Sequence, residues 1–153
     1  MEQEIRRGSE LAQVAHPDLH RLYAYWRAAH RDGRLPGRRD IDPIELRFIL
    51  GDLILLEVLH DPLRFRYRLV GSNLTRSLGR EMTGRMLDEH PEPTFRRLAA
   101  EVYAEVATTA APLSTRRDAV IDDRLRRYET MVLPLAADGA TVDMILVGMR
   151  FER

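Results

Sequence analysis

The sequence predicts one α+β domain, in which a five-stranded antiparallel sheet carries helices on one face and follows an N-terminal helical extension. The chain has 153 residues, a length that fits a single domain. Its apolar residues follow helical periodicity in two long segments and the composition or alternation of strands in five others. No internal repeat or low-complexity linker divides the chain. We therefore expect a single core with a helical extension before it.

The N-terminal third is predicted to be polar at first and then helical. Residues 1–17 are polar and weakly patterned, which indicates a flexible segment. Residues 18–51 form the helical extension, and its first helix begins at the N-cap candidate Asp18 and ends near Asp32-Gly33. A second, short helix is predicted over residues 42–51, because Pro suits a first helical position. The apolar face of the first helix carries Leu19, Leu22, Tyr23 and Trp26.

Residues 52–153 are predicted to form the core domain. A long amphipathic helix is expected from Pro93 to residue 109, and short helical turns are expected over residues 72–87. Turn signals at Asp61-Pro62, Asp122-Asp123 and Asp138-Gly139 separate the strands. The five strands are predicted at residues 53–59, 64–70, 113–121, 124–135 and 141–151.

The polarity of the strands predicts their order in the sheet. The first and last strands are apolar on both faces, which is typical of central strands, so we place them side by side, flanked by the second and fourth. Charged side chains on the second strand and on the third, which carries Arg116, Arg117 and Asp118, indicate sheet edges. The long helix is expected to cover one face and the N-terminal helix the other, in its own subunit or in a partner.

Several short motifs resemble the PAS domain superfamily. Gly71-Ser72-Asn73, then Leu78-Gly79 and residues 81–85, resemble the pattern that follows the second PAS strand. A wider set over residues 19–151 is similar to a family of short standalone PAS-like proteins from proteobacteria. This set comprises Tyr25-Trp26, Leu35-Pro36, Arg38, residues 40–43, residues 68–71 and Gly84-Arg85.

The resemblance implies a fold and a function. The fold is a sheet of order 2-1-5-4-3 with helices between the second and third strands. The function is a non-enzymatic sensory module that binds a ligand or a partner protein in signal transduction. PAS relatives bind haem, flavins or metabolites between sheet and helices, and many dimerise through N-terminal helices. We therefore expect a bacterial homodimer with a possible small-molecule ligand and a signalling protein as a further partner.

The same resemblance implies candidate site residues. Arg68 is the candidate polar anchor, either in a structural ion pair or toward an anionic ligand. Leu19, Leu22, Tyr23 and Trp26 are the candidates for contact with a second copy or a partner. The ligand cavity is predicted to be lined by Tyr67, Leu69, Phe95, Leu98, Val102, Tyr103, Met131, Leu133, Met144 and Leu146. The same lining residues also suit a filled hydrophobic core that binds no ligand.

The composition limits the cofactors and metals that the chain is expected to bind. Cysteine is absent, which excludes disulfides, thiolate metal sites and flavin chemistry that needs a cysteinyl adduct. The long helix contains no His, so an axial haem ligand is not expected there and the cofactor stays unknown. His16 and His20 have the spacing of a helical metal pair, but the helix begins between them and no third ligand is near, so no metal site is expected.

The balance of charges and the length of the apolar runs indicate which partners and which cellular location to expect. Twenty-four basic residues balance 24 acidic ones, which argues against a general nucleic-acid binder. The apolar runs are too short to cross a membrane, and the first ten residues lack the apolar stretch of a signal peptide. We therefore expect a cytoplasmic protein that binds neither nucleic acid nor membrane.

Two functions other than a sensor stay open at the level of sequence. A small cone-shaped enzyme of the isomerase or polyketide-cyclase kind would need a carboxylate deep in an apolar pocket, and Glu57 and Asp143 are its candidates. A constitutive adaptor subunit would use the sheet surface and the Trp26 helix to hold a partner without any ligand.

Overall fold

The computed structural model describes residues 2–78, 81–121 and 123–152, without the side chains of residues 77, 78 and 121. Gly79 and Asp122, which belong to the predicted motif and to a predicted turn, lie outside the described residues. The helices are α1 (Pro17–Ala28), α2 (Ser72–Leu78) and α3 (Pro93–Thr109), with 3-10 helices at Gly8–Gln13, Arg38–Asp40, Leu50–Asp52 and Leu87–Glu89. The strands are β1 (Gln3–Arg7), β2 (Leu53–Leu59), β3 (Arg64–Val70), β4 (Leu113–Ile121), β5 (Arg124–Leu135) and β6 (Met144–Phe151).

The described strands form one antiparallel sheet in the order β1-β4-β5-β6-β2-β3. The central strands β2 and β6 lie side by side between β3 and β5, as their two apolar faces predict. The predicted count of five strands is wrong, and so is the order of the sheet as a whole, because β1 pairs with residues 113–117 of β4. For the same reason the prediction that β4 is an edge strand is wrong.

The strand β1 lies within the predicted flexible segment of residues 1–17. This segment contains a strand and the 3-10 helix Gly8–Gln13 instead of an unstructured stretch. β1 has the sequence QEIRR, in which Ile5 is the sole apolar residue, so it shows none of the alternation that identifies a strand. A buried ion pair between Arg6 and Glu129 holds it to the sheet, with Arg6 Nη1 donating to Glu129 Oε2 at 2.9 Å.

The helical extension differs from its prediction in two places. α1 begins at Pro17, and its N-cap is His16 rather than Asp18, since His16 Nδ1 accepts from the Asp18 N–H at 3.2 Å. The predicted second helix over residues 42–51 is wrong. Backbone N–H groups there bond three residues back, as from Leu46 to the Pro43 carbonyl at 3.1 Å, which makes tight turns that never lengthen into an α-helix.

Each face of the sheet has its own hydrophobic core. α3 packs on one face, where its buried side chains meet inward-facing residues of all five strands β2 to β6. α1 packs on the opposite face, mainly against β5 and β6. We call these the α3 face and the α1 face.

The α1 face is closed by α1 of the same chain. Leu19, Leu22 and Trp26 are buried there, and Trp26 Nε1 donates to the Pro134 carbonyl at 2.9 Å. Gly148 of β6 lies directly beneath, and a Cβ added to it would overlap the Leu22 side chain. The helix therefore covers its own subunit's sheet, the first of the two arrangements that the sequence left open.

Candidate functional site

A cavity of about 410 Å³ lies on the α3 face, between the start of α3 and the strands beneath it. Its volume is in the range of small-molecule sites, which are concave and mostly apolar with a few polar groups. Aromatic and aliphatic side chains form most of the wall. They come from β2 to β6, α3 and the segment before α3, and comprise Ile54, Tyr67, Val70, Met82, Phe95, Tyr103, Val120, Tyr128, Val132, Met149 and Phe151.

Arg117 brings a positive charge into this apolar wall. It lies on β4, is only 3% exposed and lines the cavity. Its Nε donates to Oε1 of Gln3 on β1, and its guanidinium carbon lies 5.7 Å from the centre of the Phe95 ring. Among the described residues, no carboxylate lies within ion-pair distance of Arg117. The sequence suggested a charged sheet edge here, but β1 covers that edge and the side chain points into the core.

Three tyrosines surround the same space. Tyr67, Tyr103 and Tyr128 are buried and line the cavity, and none of their hydroxyls has a hydrogen-bond partner among the described residues. Burial raises the pKa of Tyr103 to about 12 and also raises the pKa of Tyr67. Both phenols therefore stay protonated at neutral pH, and each presents a hydroxyl that can donate or accept a hydrogen bond.

The first turn of α3 forms one side of the cavity mouth. Glu92 is the N-cap, and its carboxylate accepts from the N–H of Thr94 at 3.1 Å and of Phe95 at 2.6 Å. These backbone hydrogen bonds hold the pKa of Glu92 below its usual value. The His90 ring packs 4.6 Å from the Phe95 ring. The capped helix start therefore fixes Phe95 against the cavity and places a negative charge at the mouth.

The predicted cavity lining is divided between the two faces. Of the predicted lining residues, Tyr67, Phe95 and Tyr103 are in the wall of this cavity. Leu98 and Val102 are buried on α3 but do not line it. The prediction is wrong for Met131, Leu133, Met144 and Leu146, which belong to the core of the α1 face. Because β5 and β6 are apolar on both faces, their sequence alternation does not tell which face meets α3.

A break in strand register explains the position of Leu69. Leu56 is opposite Tyr67 while Leu55 is opposite Leu69, so Arg68 is an extra residue in β3. This bulge turns Leu69 to the α1 face, where it is 42% exposed, and the prediction that it lines the α3-face cavity is wrong. The Arg68 side chain is 66% exposed, and its Nε lies 3.9 Å from Glu57 Oε1. Of its two proposed roles, the geometry matches the ion pair.

The candidate catalytic carboxylates lie outside the cavity. Glu57 accepts from Arg66 Nη2 at 2.6 Å on the surface of the sheet. Asp143 Oδ2 accepts from the backbone N–H of Ala137 at 3.2 Å at the start of β6. Neither residue is part of the cavity wall. The arrangement that an isomerase-like enzyme needs, a carboxylate deep in an apolar pocket, is therefore not formed by these two residues.

A second cleft of about 390 Å³ lies on the α1 face, beside the turns that follow α1. Leu50, Leu55 and Leu69 line it together with Leu53 and Leu146, and Arg38 lies at its rim. Two of these leucines, Leu50 and Leu69, are more than one third exposed. The cleft is an open apolar groove, whereas the α3-face cavity combines apolar walls with a buried charge.

The topology defines the class of protein. Strands in the order β3-β2-β6-β5-β4, with α2 and α3 between β3 and β4 and a cavity beneath α3, form the sheet and helical side of a PAS fold. The chain belongs to the PAS domain family, whose model matches residues 14–149. PAS domains are in general sensory or interaction modules without enzymatic activity. No curated protein matches the chain.

The matched residues begin after β1, so the strand that supplies Gln3 precedes the part of the chain that the family model covers. Within the described ranges, no helix has the length and apolar character to cross a membrane. In the same ranges, no group of three or more His, Cys, Asp or Glu side chains is placed to hold a metal ion.

Proposed function

We propose that the chain is a ligand-binding PAS module that takes a small molecule into the α3-face cavity and signals through a partner protein. The observation that carries this proposal is the cavity itself, which has about 410 Å³ of space, aromatic walls and a buried arginine. A core evolved only for packing would fill this volume with side chains, because interiors are close-packed. The cavity also lies where a ligand would contact α3 and the central strands together.

The route of signalling follows from the elements around the cavity. A ligand that binds one arrangement of α3, β4 and β1 more tightly than another would shift the population between them. β1 is an edge strand that is held by β4, by Gln3 and Arg6, and by Arg7, whose guanidinium donates to Glu105 of α3 at 2.6 Å. We propose that a partner protein binds with an affinity that depends on the position of this N-terminal strand.

Native mass spectrometry of the protein purified from its own host tests ligand binding. We expect a co-purifying small molecule with the wild-type chain and none with Ala119→Trp, because Ala119 lines the cavity and a large side chain there fills it. Ala24→Trp, at an exposed position of α1, is the matched control and should keep the molecule. A molecule that stays bound to Ala119→Trp would place the site elsewhere, and an empty wild-type protein that binds no compound would contradict the proposal.

The homodimer and the cytoplasmic location also stay predictions. The helix face predicted for dimer contact is buried in its own subunit at Leu19, Leu22 and Trp26, and Tyr23 is the member of that set that keeps surface exposure. A dimer through this face would require α1 to leave the sheet. Sedimentation velocity of the wild-type protein and of Tyr23→Ala measures the oligomeric state directly, and a monomer at high micromolar concentration would contradict the homodimer.

A further inference from the structure

We propose that the ligand of the α3-face cavity is a monocarboxylic acid with an apolar body, and that Arg117 binds its carboxylate. This inference rests on the proposed function, because it names the ligand class of the same cavity. It follows from the charge that Arg117 carries, from the donors that it leaves free, and from the character of the surrounding wall.

Two arginines are buried among the described residues, Arg6 and Arg117, and Arg117 is the one that lacks a counter-ion. Arg6 pairs with Glu129 at 2.9 Å, and Arg150 pairs with Asp18 at 2.9 Å and also with Asp52. Arg117 is 3% exposed and is more buried than either Arg6 or Arg150, yet no described carboxylate pairs with it. A buried charge without a partner is destabilising, because the hydration that it loses is not replaced by another interaction. A ligand that brings a negative charge would therefore gain affinity by supplying the missing partner.

The free donors of Arg117 open on the cavity. A guanidinium has five N–H groups, and the Nε–H is used by Gln3. Of the described side-chain nitrogens and oxygens, Arg6 Nε is the one that is both sealed from solvent and unbonded. The terminal nitrogens of Arg117 are therefore not sealed in the core but exposed to cavity space. Their planar arrangement suits the two oxygens of a carboxylate.

The wall restricts what can accompany the carboxylate. Tyr67 and Tyr103 offer neutral hydroxyls to the ligand, since burial raises the pKa of both phenols. Beyond them the wall is apolar, with Ile54, Val132 and Met149 on the sheet. A second negative charge on the ligand would meet either this apolar wall or the Glu92 carboxylate at the mouth. These surroundings favour one negative charge on an alkyl or aromatic body.

Isothermal titration calorimetry at pH 7 with two matched pairs of compounds tests the inference on the wild-type protein. The pairs are phenylacetate with phenylacetamide and octanoate with octanamide, each an acid and its neutral isostere. We expect at least one acid to bind ten-fold or more tightly than its amide. Phenyl phosphate, a dianion at this pH, should bind more weakly than phenylacetate. This comparison needs no variant, so it does not depend on whether a mutant folds.

The variant Arg117→Gln tests whether Arg117 causes the preference for an acid over its amide. We expect the affinity for the bound acid to fall ten-fold or more while affinity for the amide changes little. Arg116→Gln is the matched control, because Arg116 is its neighbour on β4 but turns to the other face, where it pairs with Glu152 at 2.8 Å. The control variant should bind the acid as wild type does.

Three outcomes would contradict the carboxylate inference without contradicting the proposal that the cavity binds a ligand. Equal binding of acid and amide by wild type, abolished by Ala119→Trp, would overturn the inference and leave the cavity as a ligand site. Binding of neither acid, together with a co-purified neutral molecule, would do the same. Binding of the acid that is unchanged by Arg117→Gln would also overturn the inference, because another cation would then hold the carboxylate.

Discussion

The two faces of the sheet differ in whether their buried arginines are paired with carboxylates. On the α1 face the helix closes over leucines and Trp26 beside the open groove, and the buried Arg6 and the partly buried Arg150 each have carboxylate partners. On the α3 face a cavity stays open, and Arg117 has no carboxylate partner among the described residues. Both faces thus leave open space, but the α1 face pairs its arginines with carboxylates and the α3-face cavity holds an unpaired charge.

The difference indicates which face is built for stability and which for binding. Unfilled space and an unpaired charge both lower the free energy of unfolding, and proteins keep such features mainly where function requires them. The paired face stabilises the fold and holds the N-terminal strand. Breaking the Arg6–Glu129 pair should therefore lower the free energy of unfolding, whereas removing the charge of Arg117 should raise it.

The largest effect is expected from Glu129→Gln on the α1 face. Glu129 is buried and accepts from Arg6 and from the backbone N–H groups of Ala15 and His16. Removing its charge leaves the buried Arg6 with only the exposed, more distant Glu4 as a carboxylate neighbour among the described residues, so we expect the free energy of unfolding to fall by about 3–5 kcal/mol in urea denaturation. Glu4→Gln is the control, since Glu4 is exposed and lies 3.6 Å from Arg6, and it should change stability by less than about 1 kcal/mol. Equal losses of stability in the two variants would contradict the claim that the buried Glu129, and not the exposed Glu4, stabilises Arg6.

The next effect tests how closely α1 is packed. Gly148→Ala adds a Cβ that overlaps Leu22 and lies 3.3 Å from Ile49 Cδ1 and 3.4 Å from Leu19 Cδ2. We expect a loss of about 1–3 kcal/mol, measured by the same denaturation, because a close-packed core resists added volume. The loss should shrink in a Leu22→Ala background, where the overlap is removed. Strict additivity of the two changes would show that α1 does not rest on Gly148.

A smaller effect is expected from the buried phenol of Tyr103 at high pH. Its folded pKa of about 12 lies above the unfolded value of about 10, so its stabilisation is complete below pH 10 and is lost as pH rises toward 12. At pH 11 this loss is on the order of 1 kcal/mol. Tyr103→Phe should therefore lose that much less stability than wild type between pH 8 and pH 11. Parallel losses in the two proteins over this interval would contradict the raised pKa.

Sequence patterns predicted the parts of the fold that depend on strong periodicity. The stripe of α3 and the two-sided apolar strands β2 and β6 identify the helix and the centre of the sheet, while the resemblance of short motifs indicated the family. β1 was missed because Ile5 is its single apolar residue and its attachment depends on Arg6 and Gln3, which pair with distant residues. The turns at residues 42–51 have the end signals of a helix but not its hydrogen bonds.

The candidate site was less predictable than the fold for two physical reasons. Strands that are apolar on both sides carry no signal of which face meets α3, so Met131 and Leu146 were assigned to the wrong face. Arg117 has the sequence signature of an edge charge, and only the pairing of β1 with β4 shows that it is buried. The neighbouring Arg116 is the ordinary edge charge that the sequence predicts, because it forms a partly exposed ion pair with Glu152.

The central claim is that Arg117 is kept for binding at the expense of stability, and Arg117→Met tests it most directly. The variant removes the charge and keeps an unbranched side chain in the same space. We predict that the ligand-free variant is about 1 kcal/mol more stable than wild type in urea denaturation, and that it no longer binds the acid that wild type binds. A ligand-free variant that is less stable by 1 kcal/mol or more, with acid binding intact, would contradict the claim.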